Sequence, residues 1–226
     1  MRRLIALALL GLLAATPAAA ERRVALELVL LADATGSIDD AEIRFQREGY
    51  ATALTDRAVV SAIEFAGPVA LTYVEWADHR SQDVVVDWTV LETGADAAAF
   101  AAALMEPPRR AFGRNAIGSA LMAGKRLIEE NDIVSDRQVI DLSADSANNW
   151  NGPTIEEARE AVLAAGITIN GLAVLCRTCS GRPVSYDLEQ AFETRLVGGR
   201  GAFVVTADGS ESFAQAVRRK LILELV

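Results

Sequence analysis

From residue 23 onward, short apolar runs alternate with longer segments whose apolar residues recur at helical spacing, and this alternation constrains the fold more than any other feature. "RVALELVLLA" (23–32) is almost continuously apolar, as a strand covered on both faces should be. "DDAEIRFQREGYATALTD" (39–56) sets Ile43, Tyr50 and Leu54 among charges at helical spacing. "AVVSAIEFAG" (58–67) and "PVALTYVEWA" (68–77) read as strands joined at Gly67-Pro68, a hairpin that predicts one strand antiparallel to the rest. "SQDVVVDWTVLET" (81–93) begins extended and turns into a loop. Later strands at 137–144, 167–175 and 201–207 alternate with helices at 96–106, 115–131, 154–166, 185–197 and 210–225. Such alternation predicts an α/β fold of Rossmann-like type, a mostly parallel central sheet with one antiparallel edge strand and helices on both faces. Ligands in such sheets bind beyond the carboxyl ends of the strands. The polar residues that follow each strand therefore become the candidates for function.

The first 20 residues stand apart. "MRRLIALALLGLLAATPAAAE" opens with Arg2 and Arg3, continues through an apolar core from Leu4 to Leu13 and ends on Ala18-Ala19-Ala20. This is the pattern of a signal peptide cleaved after Ala20. The run is shorter than the about 20 apolar residues a spanning helix needs, and no later segment could cross a membrane. The expected arrangement is a signal peptide at 1–20 and one domain at 21–226, placed in the periplasm or secreted. Removing the signal leaves 20 basic against 31 acidic side chains. That balance repels a phosphate backbone and argues against nucleic acid as a partner, while divalent cations and basic protein surfaces remain suitable.

Cys176 and Cys179 are the only cysteines, spaced Cys-x-x-Cys within "LCRTCSGRP". A zinc site would need two further ligands, and the chain has a single histidine, His79. A thioredoxin-like redox site is the alternative, but that motif begins a helix after a strand, whereas "LCRTCSGRP" reads as a loop; in an exported protein the spacing reads before that as a small disulfide pinning the loop.

Three loops fall where a ligand would bind. The first, Asp33-Ala-Thr35-Gly-Ser37, leaves the first strand and sets one carboxylate and two hydroxyls on alternate positions. The second is "FGRNAIGSAL" (112–121), at the start of a helix, with Asn115. The third is "DLSADSANNWNG" (141–152), with Asp145. Oxygen donors of this kind suit hard divalent cations that keep several waters. An Asx-turn or helix cap at Asp33 explains the first loop equally well on its own. Trp150, beside Asn148 and Asn149, is a candidate partner anchor or an aromatic lid on the loop. Asp141, inside its strand, needs a partner if buried, and is expected to brace the site or pair with an Arg.

Taken together, Asp33-x-Thr35-x-Ser37, "GRNAIGSAL" and Ala144-Asp145-Ser146 resemble the metal-ion-dependent adhesion site of von Willebrand factor A-like domains. The chain resembles more closely a bacterial exported subfamily of unknown function, through "VIDLSADSANN", "GGRGAFVV" and "FAQAVRRKLILEL". The resemblance spans residues 23–226. It implies a von Willebrand A fold and a protein-binding module, not an enzyme. It also implies a divalent cation, Mg²⁺ or Mn²⁺ before Ca²⁺, held by Asp33, Thr35, Ser37, Asn115 and Asp145, with an acidic side chain of another protein completing the coordination. Two positions depart from the pattern: Asn115 stands where Thr is usual and Ser146 where Gly is usual. A structural module with a decayed metal site is therefore an alternative.

A second alternative is a Mg²⁺-dependent phosphohydrolase. Asp-Ala-Thr-Gly-Ser also resembles the Asp-Lys-Thr-Gly-Thr loop of aspartyl-phosphate enzymes, with Asp33 as nucleophile and Lys125 as the phosphate-binding residue. Against it, Thr35 stands where the simple phosphatases of that class carry a general acid. His79, in "ADHRSQD", reads as solvated, and no serine-hydrolase elbow is present.

Overall fold

The computed structural model describes residues 22–175, 184–208 and 210–226. Cys176 and Cys179 lie outside the described residues, as do residues 1–21. The elements run in the order β1 (Arg22–Val24), β2 (Leu26–Asp33), α1 (Asp40–Leu54), α2 (Arg57–Ala66), β3 (Val69–Trp76), β4 (Gln82–Leu91), α3 (Gly94–Ala103), α4 (Ile117–Glu129), β5 (Ile133–Ser135), β6 (Gln138–Ala144), α5 (Ile155–Ala164), β7 (Thr168–Val174), α6 (Leu188–Ala191), β8 (Val204–Ala207) and α7 (Ser210–Leu225). α6 passes directly into one turn of π-helix at Phe192–Leu196.

Six strands make the main sheet in the order β4-β3-β2-β6-β7-β8, and β1 pairs with β5 in a separate ribbon. Every pairing in the main sheet is parallel except β3 with β4. Period-two alternation sends each strand's side chains to two layers. Leu28, Leu30, Tyr73, Val139 and Leu172 pack with Tyr50, Phe213 and Val217 on the α1–α7 side. Val29, Leu31, Val74, Ile140 and Ile169 pack with Ile117, Leu121, Ile155 and Val162 on the α4–α5 side. A buried leucine in either layer is worth about 2–5 kcal/mol against Ala.

The expected antiparallel edge strand exists, but its partner differs from the reading. Residues 58–67 are not a strand. Val59, Ala62 and Ile63 are buried at helical spacing in α2, and Asp56 caps that helix by accepting from Ala58 N at 2.8 Å. β-Branched residues favour strands on a pleated, half-buried surface, but here burial of one helical stripe outweighed that preference. Gly67, at φ 96°, turns the chain from α2 into β3 and makes no hairpin. The antiparallel pair is β3 with β4, and residues 82–91 remain extended throughout where a loop was expected. The expected helix at 185–197 is shorter, with its second half a π-turn. Helices 39–56, 96–106, 115–131, 154–166 and 210–225 fall where the periodicity predicts, within their ends.

Strand order reverses direction between β2 and β6. From β2 the chain winds through α1 and α2 to β3 on one side, while β6 lies on the other. The crevice beyond the carboxyl ends of β2 and β6 is thus the topological switch point, the default ligand position in open parallel sheets.

Candidate metal and partner site

Asp33 is the last residue of β2, Asp145 the first after β6, and the loop before α4 is hydrogen-bonded to both neighbouring loops, at Gly36 and at Ser146. Even-numbered side chains of β2 face α1 and α7, so Asp33 faces the α4 side and points into the switch-point crevice. Its Oδ1 accepts from Thr35 N at 2.8 Å, an Asx-turn that folds the chain back on itself. Thr35 Oγ1 then lies 3.2 Å from Ser37 Oγ, and Ser37 Oγ donates to Asp145 Oδ2 at 3.2 Å. Three of the five candidate ligands, Thr35, Ser37 and Asp145, are therefore joined through side chains, the last step spanning 108 residues of sequence, and Asp33 joins them through Thr35 N. Asn115 is buried at the same crevice, with Nδ2 donating to Ser146 Oγ at 3.2 Å. The two departures from the family pattern thus meet, each partnering the other. This leaves the amide oxygen of Asn115 available as the donor a cation would use.

The electrostatics of the crevice are those of a site short of positive charge. Burial, and then the charge of Asp145, push the Asp33 carboxyl up to about 7. Burial also raises Asp145, against the hydrogen bonds from Ser37 and Ser146 that hold it down. Asp33 Oδ2 is buried with no hydrogen-bond partner, a costly state for a carboxylate oxygen. A divalent cation would relieve both effects, since its charge favours the ionised carboxylates. The residues present fit such an ion: two carboxylates, two hydroxyls and an amide, all hard oxygen donors. Among the described residues no cluster of three His, Cys, Asp or Glu side chains suits a metal, so any ion here relies on neutral oxygens for most of its protein ligands.

Sequence reasoning missed the residue that organises the first loop. Arg109, in the stretch between α3 and α4, donates to Ala34 O at 2.6 Å, Thr35 O at 3.2 Å, Ile38 O at 2.9 Å and Ala111 O at 3.0 Å. One guanidinium thus ties the Asp33–Ser37 turn to the second loop, helped by Gly36 N donating to Gly113 O at 2.8 Å. The planar five-donor fork of Arg suits converging carbonyls. The only signal in the sequence was an Arg-rich run, "PPRRAFGRN", in an acidic chain.

The third loop is fastened from within. Asn149 Oδ1 accepts from Gly118 N at 2.9 Å and its Nδ2 donates to Pro153 O at 2.9 Å. Asn149 thereby caps α4, whose own N-cap residue, Ala116, supplies no side-chain bond. Both of its polar groups are used inside the protein, unlike the exposed Asn148. Trp150 is 63% exposed, with the Arg114 guanidinium 5.6 Å from its ring. It is not packed down as a lid. Phe112, on the second loop, is 56% exposed and stacks against Arg109. His79 is exposed, but its Nδ1 lies 2.8 Å from Ser119 Oγ, which ties the turn after β3 to α4. Lys125 pairs with Glu129 on α4 itself, so its ammonium is engaged within the helix. Asp141 pairs with a Lys, not an Arg: Lys220 Nζ is 2.7 Å from its Oδ1, on the α7 side of the sheet. It faces away from the crevice and does not brace the site.

A family model described as "Protein of unknown function (DUF1194)" matches residues 23–226. No curated protein matches the chain. Among solved structures, the pilus adhesin SpaC from Lactobacillus rhamnosus GG superposes with a TM-score of 0.64 at 11% identity, over 88% of this chain and 30% of its own. Proximal thread matrix protein 1 from the mussel byssus, solved with a zinc-occupied MIDAS motif, gives 0.62 at 16% identity, over 91% of this chain and 48% of its own. A von Willebrand factor type A protein from Catenulispora acidiphila gives 0.58 at 14% identity, over 89% and 43%. The chain thus spans between 30% and 48% of these proteins' lengths. At such identities the likeness is one of fold, and the fold is that of a von Willebrand A-like domain.

Proposed function

Because the chain belongs to the DUF1194 family and has a von Willebrand A-like fold, we propose that it is an exported protein-binding module that docks its partner through a divalent cation at the switch-point crevice. The observation that carries this reading is Asp33 Oδ2, buried without a partner beside a second carboxylate and two hydroxyls already drawn together. Ser37 and Thr35 supply hydroxyl oxygens, Asn115 an amide oxygen, and Asp33 and Asp145 the negative charge. Mg²⁺ or Mn²⁺ suits this oxygen set better than Ca²⁺, which takes more protein ligands. A bound ion would offer an acidic side chain of the partner an open coordination position, and the exposed Trp150, Phe112 and Asn148 would supply contact area around it. Adhesins and a matrix protein among the structural neighbours support a binding role over a catalytic one.

Export belongs to the same reading. Residues 1–20 have the composition of a signal peptide, no helix among the described residues is long and apolar enough to cross a membrane, and a Cys176–Cys179 disulfide would suit an oxidising compartment.

The phosphohydrolase alternative is weakened by geometry. Lys125, its phosphate-binding candidate, is committed to Glu129. Asp33 Oδ1 is held in the Asx-turn, and no general acid stands at Thr35.

The test is calorimetric titration of metal-stripped protein with Mg²⁺, Mn²⁺ and Ca²⁺, beside Asp33→Ala. Saturable binding lost in the variant supports the reading. Absence of binding in the unsubstituted protein would leave the structural module with a decayed site. Release of phosphate from a generic aryl phosphate would favour the enzyme.

A further inference from the structure

Among the described residues, the apolar layer between the sheet and helices α1 and α7 is crossed by a line of charged side chains. Arg47 on α1 and Glu75 on β3 pair at 2.7 Å, exposed by 6% and 1%. Further along, Lys220 on α7 puts Nζ 2.7 Å from Asp141 Oδ1 and 2.7 Å from Glu224 Oε1, with all three side chains 1% exposed or less. Glu224 Oε1 also accepts from Asn170 Nδ2 at 3.1 Å, and Glu224 Oε2 is buried without a partner. Polar neighbours also include the hydroxyls of Tyr50, beside Ser143, Asp141 and Glu224, and of Tyr73, beside Asp141, Glu75 and Arg47. Both are buried and themselves pushed well above the usual tyrosine range, so neither supplies positive charge.

The charges do not balance. Among the described residues of this layer, two cations, Arg47 and Lys220, face three carboxyls, Glu75, Asp141 and Glu224. Arg47 is matched by Glu75, which leaves one ammonium between two carboxyls. Fully ionised, the triad would keep an uncompensated negative charge out of water, a state that buried groups escape by neutralising. We propose that Asp141, Lys220 and Glu224 form a buried proton-binding site, in which the Asp141 carboxyl carries a proton beside the Lys220–Glu224 pair and the seating of α7 on the sheet takes that proton up. The site is independent of the crevice, since Asp141 points to the opposite face from Asp33.

The carboxyl of Asp141 is raised to about 7, first by burial and also by Glu224, against the pull of Lys220. Linkage fixes the sign. In the unfolded chain the Asp141 carboxyl titrates at about 4. Below that value both states carry the proton. Between about 4 and about 7 only the folded state does, so stability falls as pH rises through this window and levels off above it.

The test uses full mature protein, with Asp33→Asn and Asp145→Asn as a background that removes the two raised carboxyls of the crevice. Urea unfolding is followed from pH 4.5 to 8 in this background and with Asp141→Asn added. We expect the background's folding equilibrium constant to fall up to tenfold per pH unit more steeply than that of the Asp141→Asn protein, the slope of one proton. The infrared carbonyl stretch of a protonated carboxylic acid should be present in the folded background at pH 6. Asp141→Asn or Glu224→Gln should remove it, as either amide relieves the need for a proton. Equal slopes with and without Asp141→Asn would overturn the proposal. So would the absence of a protonated-acid band in the folded background, a result that needs no further variant to fold.

Discussion

Arg109 offers the sharpest test of how the first loop is held. In Arg109→Met the aliphatic stem is kept and the guanidinium lost. Thr35 O would retain Ile38 N as a donor at 2.9 Å, but Ala34 O and Ile38 O would lose Arg109, the donor that reaches them across the loop. A buried carbonyl stripped of its partner costs about 1–3 kcal/mol, so the pair predicts a loss of about 3 kcal/mol. The ion pair to Asp40 adds little, because that carboxylate is 87% exposed. For a domain of this size such a loss lowers Tm by about 6–12 °C. Arg109→Lys should fall between, since one ammonium cannot reach carbonyls arranged for a planar fork. Urea and thermal unfolding give the stability, and a Mg²⁺ titration of the same variants reads the loop. We expect metal affinity to fall in Arg109→Met although Arg109 supplies no ligand. A loss under about 1 kcal/mol with an unchanged titration would refute the clamp and mean that the turn holds its shape through Asp33 and the strand end alone.

Three further outcomes follow from the site. Mg²⁺ at a hundredfold excess over its dissociation constant should stabilise the protein by about 2.7 kcal/mol in thermal melts, and Asp33→Ala should abolish this shift; a shift that survives would place the ion elsewhere. Trp150→Ala should change stability by less than about 0.5 kcal/mol, the ring being largely exposed, and should weaken capture of the partner once one is in hand; a large stability loss would show the ring to be structural. Gly118→Ala places a Cβ 2.1 Å from Pro153 O, and the backbone movement this forces should cost about 1–3 kcal/mol and pull the third loop from α4, visible as faster hydrogen exchange at 147–153; protection equal to that of the unsubstituted protein would count against the close packing.

The sheet and the site were legible to different depths. Continuous apolar runs betray buried parallel strands, and five helices were found from periodicity, because both signals report burial directly. Residues 58–67 misled because Val59, Val60 and Ile63 carry strand preference while only the pattern of burial, fixed by the tertiary fold, makes them helical. The three loops were legible as a set, since a carboxylate or polar residue after a strand is a local feature. What joins them was not. Arg109, Asn149 and His79 act on backbone atoms or side chains 31 to 75 residues away, and nothing in their local sequence encodes the distance. Asp141 was rightly expected to need a partner, but Lys220 lies in a helix whose register over β6 no local pattern reveals.

The Ser37–Asp145 hydrogen bond, which spans 108 residues, bears on when the module can work. Loop-closure entropy means that contacts of such separation form late, after much of the sheet has condensed. Until β2 and β6 have paired, the chain holds the Asp33 and Asp145 loops apart. Metal capture would then serve as a proofreading signal for completed folding. On the metal-dependent reading proposed above, an ion that binds only the finished crevice would pull the folding equilibrium forward and would leave chains in which β2 and β6 have not yet met without it.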